Sequence, residues 1–77
     1  MKILTKEARL RRLAELPSYT KFRIRKSADQ WWKVDGRGYT ADMNKARIFT
    51  HAEITSMVTH NGLLDKEILV VDSIEIV

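Results

Sequence analysis

The chain has no cysteine, a single proline and only three glycines in its 77 residues. Without cysteine there can be no disulfide framework, no thiolate zinc site and no cysteine nucleophile. Long apolar runs are missing as well. The longest is Ile68-Leu69-Val70-Val71, whereas a helix needs roughly 20 apolar residues to cross a bilayer, so no helical span is expected. The opening MKILTKEARLRR interrupts its two aliphatics with a lysine and a glutamate. That is not the apolar centre of a secretory signal, and a cytoplasmic protein is expected. No internal repeat and no low-complexity linker is present.

What remains is an ordinary globular composition, 44% hydrophobic and 31% charged, at a length that buries only about 60% of the unfolded surface. One α+β domain over residues 1–77 is expected, without a large active-site cleft. The net charge of +4 conceals an asymmetry: residues 1–26 hold nine basic residues against Glu7 and Glu15, while the rest hold five basic and eight acidic. Such a polar distribution steers toward phosphates, toward an acidic protein surface, or toward the acidic part of a second copy.

Periodicity divides the chain into elements. Over residues 5–16, Leu10, Leu13, Ala14 and Leu16 share one side of a helix, capped by Thr5 and stopped by Pro17. Glu7, Arg11 and Glu15 stand four apart, so Arg11 is expected between two carboxylates with Arg9 and Arg12 freer. A hairpin follows, in which TKFRIRK and WWKVD alternate around a tight loop at Ser27-Ala28-Asp29. Pairing Ile24 with Trp32 and Phe22 with Val34 gathers four apolar side chains on one face and sets Arg25 across from Trp31. The alternative register would oppose Arg25 to Lys33, a like-charge pair. Asp35-Gly36-Arg37-Gly38 reads as a turn.

In GYTADMNKARIFTHAE, residues 38–53, Asp42 caps one helical turn and residues 47–49 form a short strand. Thr50 then opens a second helix: Thr50 and Glu53 have capping-box spacing, and Phe49 and Ile54 that of a hydrophobic staple. Ile54, Met57 and Val58 form its buried face, and Asn61-Gly62 ends it. The final KEILVVDSIEIV is read as a covered strand around residues 68–71, with a bend near Asp72-Ser73. The expected architecture is a small antiparallel β-sheet of about 3–4 strands packed by two helices, in the order α-β-β-β-α-β.

Candidate sites sort quickly. His51 and His60, nine residues apart on one helix, point to opposite sides and cannot share a metal. Gly36-Arg37-Gly38 lacks the strand-to-helix setting of a nucleotide loop. Asp42 and Glu53 are the best acid pair, but both have capping roles, and no nucleophile, base and orienter come together. A non-enzymatic protein without cofactor or metal is expected. The surface that stands out is basic and aromatic: Lys21, Arg23, Arg25 and Lys33 around an outward Trp31, extended by Arg9 and Arg12 of the helix and by Arg37. Cations beside an aromatic plate suit nucleic acid, and tryptophan with arginine equally suits a protein interface.

The run G-Y-T-x-D-x-x-x-A-x-x-F-T-x-x-E at residues 38–53, preceded by a tryptophan-bearing hairpin, resembles a pattern in small uncharacterised proteins encoded by phages and prophages. The likeness covers residues 19 to about 62. Ile54-Thr55 stands where an alanine is usual, and the arginine-rich N-terminal helix lies outside the pattern. The resemblance implies mobile-element origin, location in the host-cell cytoplasm, and action by binding and inhibiting or redirecting a host protein or nucleoprotein complex, as anti-CRISPR and anti-restriction proteins do. Direct, nonspecific nucleic-acid binding by the same face is the alternative expectation, and a monomer or weak homodimer is expected.

Overall fold

The helical elements start at local signals. Thr5 stands extended (φ −67°, ψ 163°) and its hydroxyl accepts from the Ala8 amide, opening α1 over Lys6–Glu15; a cap of this kind is worth about 1 kcal/mol. Pro17 pushes Leu16 into extended geometry (ψ 147°), and the helix stops there. The computed structural model describes residues 4–33, 38–60, 65–73 and 75–77. Val34, the 35–37 part of the expected turn, and the Asn61-Gly62 helix end lie outside the described residues.

Strands β1 (Lys21–Ser27) and β2 (Gln30–Trp32) form the hairpin, with Arg25 opposite Trp31 as the like-charge argument requires. The register then shifts so that Ser27 faces Gln30, a bulge that strict alternation does not disclose. Strand β3 (Tyr39–Thr40) adds to β2 where the sequence suggests only a turn and a cap, pairing Thr40 with Trp31. The Asp42 carboxylate accepts from the Asn44 amide at 2.9 Å and starts the 3-10 turn Met43–Lys45.

Strand β4 (Phe49–Thr50) pairs with the start of β1, and both arms of the capping box close. The Glu53 amide donates to the Thr50 hydroxyl at 3.1 Å and the Thr50 amide donates to Glu53 Oε1 at 3.0 Å, which fixes the start of α2 (His51–His60). Strand β5 (Glu67–Val70) lies along the other side of β1, from Phe22 opposite Val70 to Arg25 opposite Glu67. The chain then turns with Asp72 at φ 68° and returns antiparallel: the Val70 amide donates to the Glu75 carbonyl at 3.0 Å and the Val77 amide to the Ile68 carbonyl at 2.8 Å. The bend foreseen near Asp72-Ser73 is thus the turn of a tight C-terminal hairpin.

The result is an α+β fold: among the described residues, a five-stranded antiparallel sheet with two α-helices. Leu13 of α1, Ile54 and Val58 of α2, Phe22 and Ile24 of β1, Phe49, Ile68 and Val77 are buried together. Alternation places Phe22, Ile24 and Ile68 on the helix-covered front of the sheet. The helices are stitched to each other by His51, whose Nε2–H donates to the Leu13 carbonyl at 2.7 Å. Ala14, expected inside, is exposed, because the buried positions of α1 are Arg9 and Leu13, with Leu10 partly buried beside them.

Candidate binding cleft

The same alternation that turns Phe22 and Ile24 forward turns Lys21, Arg23 and Arg25 to the back of β1. The neighbouring strands add Trp31, opposite Arg25, and Glu67 and Leu69, opposite Arg25 and Arg23. Beside this bare sheet surface stand the 3-10 turn and the C-terminal turn. Together they enclose a cleft of about 790 Å³ lined by Arg23, Arg25, Trp31, Met43, Leu69 and Asp72, with Asn44, Val70 and Ser73 completing the wall.

Its two arginines have different fates. The Arg25 guanidinium lies 5.3 Å from the centre of the Trp31 ring and its terminal nitrogen donates to Glu67 Oε2 at 3.0 Å. Glu67 is 3% exposed, so this carboxylate and Arg25 are committed to each other. The Arg23 side chain is half-buried and makes no hydrogen bond or ion pair among the described residues. Its Nε, like that of Arg25, is buried without an acceptor. A buried unmatched donor is uncommon in a folded protein and calls for a reason.

Three expectations about the basic surface are overturned. Trp31 does not face water: it is 7% exposed. Arg25 stands opposite Trp31 as expected, while Phe22 pairs with Phe49 and Val70 on its two sides; β3 pairs beside Trp31 and Arg25 covers the indole ring. An indole buries roughly 150–250 Å², worth about 4–6 kcal/mol at 25 cal/mol per Å². That far exceeds the ~0.5–1 kcal/mol of an exposed cation–π contact. Arg9 is not free either. It is fully buried, with Nε donating to the Val77 carbonyl at 3.2 Å and a terminal nitrogen donating to the Lys66 carbonyl. Desolvation lowers its pKa, and the nearby Asp65 and Glu67 pull it back up. Arg12 is paired with Glu75 and lies 3.8 Å from Glu15, whereas Arg11 has no ion pair among the described residues.

Of the remaining candidates, Lys21 is exposed at the end of β1 opposite Thr50, and Lys33 is half-buried and bridged to Ala46. Arg37 lies outside the described residues. Arg23, Arg25 and Trp31 are therefore brought together, while Arg9 and Arg12 serve the junction between α1 and the C-terminal hairpin. Asp72, which lines the cleft, and Glu67, which pairs with Arg25 beneath it, were not singled out by sequence as site residues. The signal for Glu67 was the charge asymmetry itself, since a basic first third and an acidic remainder can neutralise each other within one chain.

The other polar candidates have local roles. Asp42 and Glu53 both cap, and Glu53 Oε2 also accepts from Arg47 at 2.8 Å. The Thr50 backbone hydrogen bond, ahead of Arg47, holds the Glu53 carboxyl below its ordinary range. His60 is exposed and hydrogen-bonds the Ser56 carbonyl of its own helix at 2.9 Å. No group of metal-binding side chains occurs among the described residues, and no described helix is long and apolar enough to cross a membrane. Compared with protein-family models, curated proteins and solved structures, the chain matches none.

Proposed function

We propose that the protein is a non-enzymatic binding protein that docks on an acidic surface of a partner protein through the cleft behind its sheet. In this reading it acts as small mobile-element proteins do when they modulate or inhibit a host complex. The observation that carries the reading is Arg23: β1 holds its half-buried side chain at the cleft, and it makes no ion pair among the described residues. Arginine in a partly desolvated setting binds carboxylates strongly and is a frequent interface hot spot. Trp31 contributes as a rigid wall that keeps the arginines in place.

The test is capture from nuclease-treated bacterial lysate by the immobilised wild type, by Arg23→Glu and by Arg11→Glu, which makes the same charge change on an exposed helix position. Truncating a buried interfacial charge costs about 2–5 kcal/mol, so Arg23→Glu should lose the captured protein by more than tenfold while Arg11→Glu keeps it. Equal capture by all three removes the cleft as the docking site.

A second reading, direct nucleic-acid binding, is favoured by the row of Lys21, Arg23 and Arg25 on one face of β1. Arg25 is already neutralised by Glu67, which leaves few cations for phosphates. Each phosphate neutralised contributes a slope of about −0.7 to −0.9 in log affinity against log salt. A gel shift at two salt concentrations measures that slope, and no shift at low salt removes this reading.

A further inference from the structure

The cleft has more selectivity than a basic patch. Besides Arg23 it holds a carboxylate, Asp72, carried on a left-handed turn position at φ 68° and exposed at the wall. Glu67 already offsets Arg25. Among the described residues, Arg23 and Asp72 are then the charged groups of the wall without an ion pair, so a ligand with several negative charges meets repulsion from Asp72 as well as attraction to Arg23. Apart from the neutral Asn44 and Ser73, the rest of the wall is apolar: Leu69 and Val70 are half-buried, Trp31 is buried, and Met43 is 45% exposed. Resting on the docking reading above, we infer that the cleft recognises a single carboxylate joined to an apolar body, such as a glutamate or aspartate side chain flanked by aliphatic residues, and discriminates against polyanions such as a phosphate backbone. Arg23 holds the carboxylate through its terminal guanidinium nitrogens, while Nε stays buried behind them. Asp72 is the element of rejection. Met43, Leu69 and Val70 take the apolar body.

Sodium hexanoate is the simplest probe of that class. In an NMR titration of isotopically labelled protein it is expected to shift the Arg23 Nε–Hε signal and the Leu69 and Val70 amides saturably. Inorganic phosphate and a twelve-residue oligothymidylate should shift them less. Arg23→Gln should weaken hexanoate binding by roughly tenfold or more, as loss of a charge-assisted pair implies. Asp72→Asn should leave hexanoate bound and raise the affinity for phosphate and oligothymidylate. If oligothymidylate saturates the wild-type cleft as readily as hexanoate, the selectivity is overturned while the cleft remains a docking site. Hexanoate binding that is unchanged in Arg23→Gln, or that moves none of the cleft signals, overturns the assignment. The docking reading itself stands or falls separately, on capture by Arg23→Glu.

Discussion

Trp31→Ala removes a ring that is 7% exposed and leaves a cavity where the sheet meets its β3 edge. The expected loss is about 3–5 kcal/mol, the range for large-to-small aromatic substitutions. In a chain this short that approaches the entire stability. Urea unfolding should therefore show a large drop, and a loss below about 1 kcal/mol would mean that the indole sits in water after all. Arg9→Ala strands the Val77 and Lys66 carbonyls that the guanidinium now serves. Hydrogen bonds from a charged group are worth about 1.5–3 kcal/mol, so a loss of that order is expected from the same measurement. Both residues could be mistaken for docking contacts, because arginine and tryptophan have the same chemistry inside a protein as at an interface. Which role each plays depends on strands far away in the chain.

At the scale of elements, the stabilisation of α2 has a pH signature. The Glu53 carboxyl is held below its ordinary value of 4.5, chiefly by the Thr50 amide. A depressed folded-state pKa gives stability that is present above the unfolded value and is lost as pH falls through the folded one. Acidification below about 4.5 should therefore progressively weaken the wild type, and Glu53→Gln, which keeps the capping geometry, should lack that component. Comparing thermal midpoints of the two proteins from pH 7 down to the acid limit measures it. Identical acid profiles would show that the carboxylate charge plays no part. Thr50→Ala should cost about 0.5–2 kcal/mol at neutral pH. These starts and stops were readable from sequence because their signals sit within a few residues: Thr5 with Ala8, Asp42 with Asn44, Thr50 with Glu53, Pro17 after Leu16. The hairpin register was readable for a related reason, since one like-charge pairing decided it. The position of β5 against β1 was not readable. It brings Glu67 to Arg25 across 42 residues, and no local rule reaches that far. The bulge after Arg25 and the two-residue β3 were likewise set by pairing rather than by propensity.

For the whole molecule, the charge asymmetry of the chain turns inward. Arg12 meets Glu75, Arg25 meets Glu67, Arg9 feels Asp65 and Glu67, and Lys26 acts on Asp65. Cations of the first third thus bind the acidic end of the same chain. Head-to-tail association of copies through those charges loses its driving force, and sedimentation at low salt should give a monomer. A concentration-dependent dimer would contradict this. Of the two arginines that line the cleft, Arg23 is the one left without an ion pair among the described residues, and the account rests on its being kept for something other than the fold. Urea unfolding of Arg23→Met tests this most directly. A change within about 0.5 kcal/mol, or a gain from removing the unmatched donor, is the expected result. A loss above about 2 kcal/mol would contradict the account, because it would make Arg23 a member of the structure and leave the cleft without a free cation.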